Sequence, residues 1–241
     1  MVLTMSQGVT GVRYYLYVSE AKLDMLFEQI PQKLLSRLAT EAKVDLKVVS
    51  VAVQKAARAE LGTYGRLDVV ERYLEREYDI GWMTEPTSWF RGDLGLRIAG
   101  YGSATGPVFM TGQEGHTVVA LIGSAHHLVG QRLPAEGIPV GHSMLPSLFR
   151  LLRETPEDWP RREPTAVSGR AYPADDQEAL RQVLDFSAHL TGPTTYCEFL
   201  ARRLLRGTAT DENGQEWDVV IGTPLYVAMA EDEDDGAGGR R

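Results

Sequence analysis

Two rhythms of apolar residues alternate through the first third of the chain, and they restrict the fold more than any other feature. Residues 13–19 read RYYLYVS, a short stretch dense in aromatic and β-branched side chains. That composition predicts a strand, and its near-continuous apolar character predicts cover on both faces. From Glu20 to Leu38 the rhythm changes. Leu23, Leu26, Phe27, Ile30, Leu34 and Leu38 recur at steps of three and four, which lines one face of a helix. Ser19 stands at the N-cap position, although Lys22 leaves the capping box without its acid. Pro31 must kink or split this helix, or start a second one, because it has no N–H to donate and its ring crowds the preceding turn. Asp45–Val53 predicts a second strand, and Leu67, Val70, Tyr73 and Leu74 a further amphipathic helix ending near Glu77. Strand, helix, strand, helix is the grammar of an α/β layer. No glycine-rich fingerprint joins these elements, so a dinucleotide fold is not indicated.

The middle of the chain changes character. Between Gly81 and Gly130 many glycines separate short apolar runs at 89–91, 94–98, 107–110 and 117–122, with a hairpin expected over 113–116. These predict an antiparallel portion of sheet. Beyond a connector at 131–143, helices are expected over 144–154 and 175–190, with a Pro- and Arg-rich loop at 155–173 between them. Gly192-Pro193 breaks the second of these. A further helix is expected from Thr194 or Thr195 to Leu205, then a turn region to Glu216. A last strand or strand pair at 217–229 is interrupted by Gly222-Thr223-Pro224. The strings YLYVS and PLYVAMA look alike, which two strands entering one core explain without a repeat. The fold class is therefore α/β, with a mixed α+β arrangement as the variant. It has a central mixed sheet with an antiparallel portion, packed by amphipathic helices. Residues 13–230 form the single domain, residues 1–12 a flexible N-terminus, and 231–241 a disordered acidic tail.

Charge and cysteine usage narrow the partners. The formal net charge is −8. Glu231 to Asp235 supply much of it, and without the tail the body stays near about −5. A surface built for nucleic-acid phosphates gathers basic charge, so no nucleic-acid partner is expected. The one cysteine, Cys197, cannot form an internal disulfide. No apolar run is long enough for a membrane span, and the start lacks the basic and apolar regions of a secretory signal. A cytoplasmic protein with no membrane partner is the expectation.

Candidate chemistry concentrates in a few places. The string IGSAHHLVG at 122–130 sets His126 and His127 side by side after an apolar run. On a continuing strand they would face opposite ways; with a turn at Gly123 both would face one cavity. They are the candidate proton-transfer pair. The competing reading is a structural pair that satisfies backbone groups at a strand end. Ser124 and the amides around it could receive a phosphate or carboxylate. Trp89, Arg91 and Arg97 share a parity on a strand, so a ring and two guanidinium forks could hold a planar anionic ligand. Against this stands a core Trp89 with arginines paired to surface acids. Tyr15, sharing the parity of Tyr17, could bring a hydroxyl to a cavity, against core or sheet-edge packing, and Lys22 with Asp24, at the start of the following helix, could frame a pocket at a strand's carboxyl end. Neither HExxH nor CxxC is present, so no metal is expected, and no cofactor is implied. Arg202, Arg203 and Arg206 read as a basic helix end.

The pieces RYYLYVSEAKLDML (13–26), WFRGDLGLR (89–97), VALIGSAHHLVG (119–130), FLARRLL (199–205) and IGTPLYVAMA (221–230), taken in order, resemble a family of uncharacterised actinobacterial proteins of about 240 residues. The resemblance implies one integrated domain and transfers no catalytic residue. It carries the expectation of a place in signalling or defence systems. The leading expectation for function is an intracellular ligand-sensing or protein-interaction module, including self-association. The alternative is a small enzyme acting on a phosphorylated or nucleotide-like substrate. There His126 or His127 would move a proton and Arg91 with Arg97 would clamp the anion. That alternative requires the arginine heads and an imidazole to converge in one cavity.

Overall fold

The computed structural model describes residues 12–41, 61–100, 106–130 and 175–230. The expected strand at 45–53, the connector, helix and loop over 131–173, and both terminal tails lie outside the described residues. Within them the α/β expectation holds: helices pack on a mixed sheet of seven strands. In chain order these are β1 (Tyr14–Val18), β2 (Ile80–Trp82), β3 (Trp89–Gly100), β4 (Pro107–Glu114), β5 (Thr117–Ser124), β6 (Thr195–Thr210) and β7 (Glu216–Met229). The helices are α1 (Glu20–Gln29), α2 (Gln32–Glu41), α3 (Thr63–Glu77) and α4 (Asp176–His189). Pro31 divides α1 from α2, and its carbonyl accepts from the amides of Leu34 and Leu35 to open the second helix. No helix among the described residues is long and apolar enough to cross a membrane.

The ladder runs β7–β5–β4–β3, and β6 then pairs with both β3 and β7, so the five strands return on themselves as a partly closed barrel. Most neighbours are antiparallel, but β5–β7 and β2–β3 are parallel. The hairpin between β4 and β5 turns through Gly115 and His116, with Gly115 at φ 56°, a conformation that suits glycine. The interior is apolar: Phe90, Leu94, Leu96, Val108, Met110, Val119, Leu121, Cys197, Phe199, Val220 and Val227 fill it, with Tyr17 and Met83. Outside, α1, α2 and α3 cover one flank through Leu23, Phe27, Leu35, Leu67, Val70 and Leu74. The opposite flank is covered by α4, which packs Leu180, Val183 and Phe186 on Phe109, Ala120, Ile122 and Ile221. Asp175 caps α4, its carboxylate accepting from the Glu178 amide at 2.9 Å.

Three expectations need correction. The segment from Thr195 to Leu205 is a strand, and β6 runs on to Thr210, so the turn shrinks to residues 211–215. Arg202, Arg203 and Arg206 therefore lie on a strand and not at a helix end. The runs at 89–91 and 94–98 are one strand, β3. Likewise β7 continues through Gly222-Thr223-Pro224. The misreadings of β6 and β7 have a common root in irregular pairing, whereas β3 pairs without a shift through Gly92 and Gly95. Register shifts insert Leu16 in β1, Leu204 in β6 and Leu225 in β7 as extra residues. At each such bulge two consecutive side chains turn to one face. Leu16 and Tyr17 both join the barrel interior, Leu204 and Leu205 both face α4, and Leu225 and Tyr226 both face the α1–α3 layer. The two-residue alternation is broken there, and in β6 the remainder mimics a helical spacing. The similar strings YLYVS and PLYVAMA pair with each other, Tyr17 opposite Val227 and Val18 opposite Tyr226.

Candidate functional site at the end of the barrel

The bulge at Leu225 fixes the start of α1. Two neighbouring carbonyls of β7 are taken by the helix: Leu225 O accepts from the Ser19 amide at 2.8 Å, and Pro224 O accepts from Lys22 Nζ at 2.9 Å. Lys22 is 9 % exposed, and no carboxylate pairs with it among the described residues. Burial without a counter-charge pushes its ammonium pKa down to about 7. Ser19 occupies the N-cap position but makes no side-chain cap bond.

The bulge at Leu16 turns Tyr17 inward, where its ring crosses β5 at Gly123. A Cβ on Gly123 would stand 2.5 Å from the Tyr17 hydroxyl oxygen, so only glycine admits the ring there. The chain then leaves β5 after Ser124, one residue later than a turn at Gly123 would have it. A 3₁₀ turn, Ala125–His127, follows, and the Ser124 hydroxyl accepts from the His126 amide at 3.3 Å. This turn places both imidazoles on the same side. Their ring centroids are 5.3 Å apart at an interplanar angle of 78°, and the His127 ring meets the Tyr17 ring edge-on at 5.8 Å.

Four buried polar atoms of this cluster lack hydrogen-bond partners among the described residues. Among the described residues neither ring nitrogen of His127 makes a hydrogen bond, nor do Nδ1 of His126 and the hydroxyl of Tyr17. His127 is only 5 % exposed. Burial, then the nearby positive charges of Lys22 and His126, push its pKa down to about 4, so the ring is neutral at pH 7. Burial pushes the Tyr17 phenol up to about 12, opposed by the Ser124 backbone and the Ser19 hydroxyl. A structural histidine pair would be expected to have found backbone partners, since buried polar groups are hydrogen-bonded as a rule. Here a donor and an acceptor on one buried ring, a phenol and a weakly basic amine converge instead.

The remaining predicted site residues stand elsewhere. Arg91, Leu200, Tyr226 and Val18 are matched across β3, β6, β7 and β1, and this row faces outward to the helices. The adjacent row, Gly92, Phe199, Val227 and Tyr17, faces inward. Arg91 thus lies on the opposite face from Tyr17 and about 14 Å along the row from β1. It is paired with Glu75 of α3 at 2.7 Å. Arg97 does share its parity, but six residues along an extended strand separate them by about 20 Å, and Arg97 is exposed. The ring of Trp89 carries the guanidinium of Arg202 at 5.6 Å, from neither predicted arginine. Tyr15 is turned outward, away from Tyr17, by the same bulge. It stacks on Tyr64 at 5.1 Å and meets Tyr226 edge-on. Beside it Glu71, buried, accepts from Tyr226 Oη at 2.9 Å and from Arg13 at 2.7 Å, and Arg13 reaches Glu198 at 2.8 Å. Sequence reading missed this network, because nothing in the spacing of residues 13, 71, 198 and 226 joins them. It is fully partnered and ties β1, α3, β6 and β7 together. Thus Lys22, Ser124, His126 and His127 come together, joined by Tyr17, while Tyr15, Trp89, Arg91 and Arg97 do not join them.

One further group of potential metal ligands exists at the surface of α4 and the β6–β7 turn, where ligand atoms of Asp185, His189 and Glu212 lie within 4.8 Å of one another. The acids are exposed, and His189 Nδ1 already contacts the Asp185 carbonyl at 2.7 Å. Shallow depressions beside Asp175 and Arg181, and beside His116 and Trp217, contain none of the predicted residues.

No curated protein and no solved structure matches the chain significantly. A family model described as a family of unknown function (DUF7019) matches residues 13–231, from the arginine that anchors β1 to just past the end of β7. The chain belongs to this DUF7019 family.

Proposed function

We propose that the protein is a ligand-sensing module that takes a small anionic molecule at the end of the barrel, between Tyr17, Lys22, Ser124, His126 and His127. The observation that carries the reading is His127, a ring 5 % exposed with both nitrogens unpartnered among the described residues, set against a Tyr17 hydroxyl that lies near Ser19 and Ser124 without a well-formed hydrogen bond. Each such atom costs about 1–3 kcal/mol if nothing meets it. Sites that keep this cost are where ligands bind. Lys22 and the two imidazoles supply hydrogen-bond donors to the cluster, and an anion would be met by the amine, the ring N–H groups and the phenol. The anion-binding role expected of Arg91 and Arg97 passes to Lys22 in this reading, since Arg91 is already engaged by Glu75.

The test is thermal unfolding of the full chain with L-lactate, pyruvate or inorganic phosphate, alongside native mass spectrometry of freshly purified protein. We expect a saturable rise in melting temperature with at least one of these anions and its loss in Lys22→Met and His127→Phe. A chain that carries no retained ligand, and that none of the three anions stabilises beyond chloride, would contradict the reading.

A further inference from the structure

Lys22 differs from an ordinary anion-binding lysine in ways that bear on its chemistry. Its Nζ is buried and, among the described residues, donates to one partner, the uncharged carbonyl of Pro224 at 2.9 Å. Among the described residues no carboxylate holds it in the ammonium form. It lies in the first turn of α1, where the helix dipole also disfavours positive charge. The titratable groups nearby are themselves basic: Lys22 lies close enough to His127 to bear on its charge, and the His126 ring adjoins that of His127. A neutral amine that donates one N–H to a carbonyl keeps its lone pair free, the condition for a nucleophilic lysine. His127 supplies the complement. A neutral imidazole with neither nitrogen engaged can accept a proton at one nitrogen and deliver one from the other.

We propose that Lys22 is a carbonyl-reactive residue, condensing with the keto or aldehyde group of a small 2-oxo acid seated beside Tyr17, His126 and His127. This deepens the ligand-sensing reading and rests on it. The steps balance without a co-reactant. Nζ attacks the carbonyl carbon, and the carbonyl π pair moves to oxygen. The imidazole of His127 takes the proton released from nitrogen and returns one to the oxygen, giving a carbinolamine. The same ring then takes the second N–H proton at one nitrogen and delivers a proton from the other to the departing hydroxyl group, so that water leaves as the C=N bond forms. The products are one imine at Lys22 and one water. The 2-oxo acid's carboxylate meets the Tyr17 hydroxyl and the His126 ring, the anion contacts required by the parent reading.

The full chain is incubated near pH 7 with pyruvate and sodium cyanoborohydride, and the reduced adduct is located by peptide mass mapping. Exposed Lys33 serves as the internal control. We expect labelling at Lys22 at least about tenfold faster than at Lys33, because burial against an uncharged carbonyl favours the unprotonated Lys22 amine. Labelling at that peptide should disappear in Lys22→Met, and slow severalfold in His127→Phe while melting stays cooperative. Should either variant fail to fold, the ratio of Lys22 to Lys33 labelling in the unaltered protein decides alone. Equal labelling of the two lysines, or none at Lys22, overturns the proposal. L-Lactate, which keeps the carboxylate but has no keto group, separates the two ideas. Stabilisation by lactate and pyruvate without a Lys22 adduct sinks carbonyl reactivity and leaves the ligand site standing, whereas loss of both effects sinks the two together.

Discussion

At the scale of single residues, the barrel-end cluster is held by steric and electrostatic conditions that can be removed one at a time. Gly123 is the steric one. Gly123→Ala drives a methyl into the Tyr17 ring, and we expect a loss of about 1–3 kcal/mol, read by urea unfolding. His127 is the electrostatic one. Its folded-state pKa of about 4 lies below the usual value of 6.5. As pH falls through that window the unfolded chain takes up a proton that the folded chain refuses, so stability is lost on acidification and retained above it. Relative to His127→Phe, the unaltered protein should therefore lose about 2–3 kcal/mol between pH 7 and about pH 4.5. Unfolding curves of both proteins at the two pH values check this, and a pH-independent difference would contradict a buried neutral ring. The adjacency of His126 and His127, and the place of Lys22 at the first turn of a helix after a strand, were readable from the sequence. That Tyr17 and not Tyr15 would join them was not, because one inserted residue at Leu16 reverses the parity on which the reading depended.

At the scale of elements, the bulges explain which parts of the fold were legible. Helices α1, α3 and α4 announce themselves because a three-to-four spacing survives local irregularity, and β4 and β5 because a two-residue turn with Gly115 joins two apolar runs. β6 does not. Its polar arginines, its paired leucines and the bulge at Leu204 leave no clean alternation, and only pairing with β3 and β7 on both sides decides that it is extended. The outward network around Glu71 belongs to this scale, since it fastens β1 to α3 and β7. Glu71→Ala would leave the Tyr226 hydroxyl without its acceptor and Arg13 with only Glu198. A loss of about 2–4 kcal/mol is expected. Because the network lies on the outer face, anion-induced stabilisation should persist in that variant. A melting curve with and without pyruvate tests both halves of the statement.

At the scale of the whole molecule, closure of the sheet is what places basic and phenolic groups together, with no carboxylate paired to them among the described residues. The ladder β3–β4–β5–β7–β6 encloses an apolar interior, and the outward and inward rows of β3 keep Arg91 and Arg97 apart from the histidines. An anion arriving at the barrel end therefore meets Lys22, two imidazoles and a phenol instead of the arginine clamp expected from sequence parity. The sharpest measurement is side-chain nitrogen NMR of the histidines in the full chain near pH 7, during a titration with pyruvate. His127 should begin with the signature of an uncharged ring and move saturably, together with His126, while His189 on α4 stays fixed. An imidazole at position 127 that already reports a proton on both nitrogens, or one that pyruvate leaves unmoved, would contradict the account.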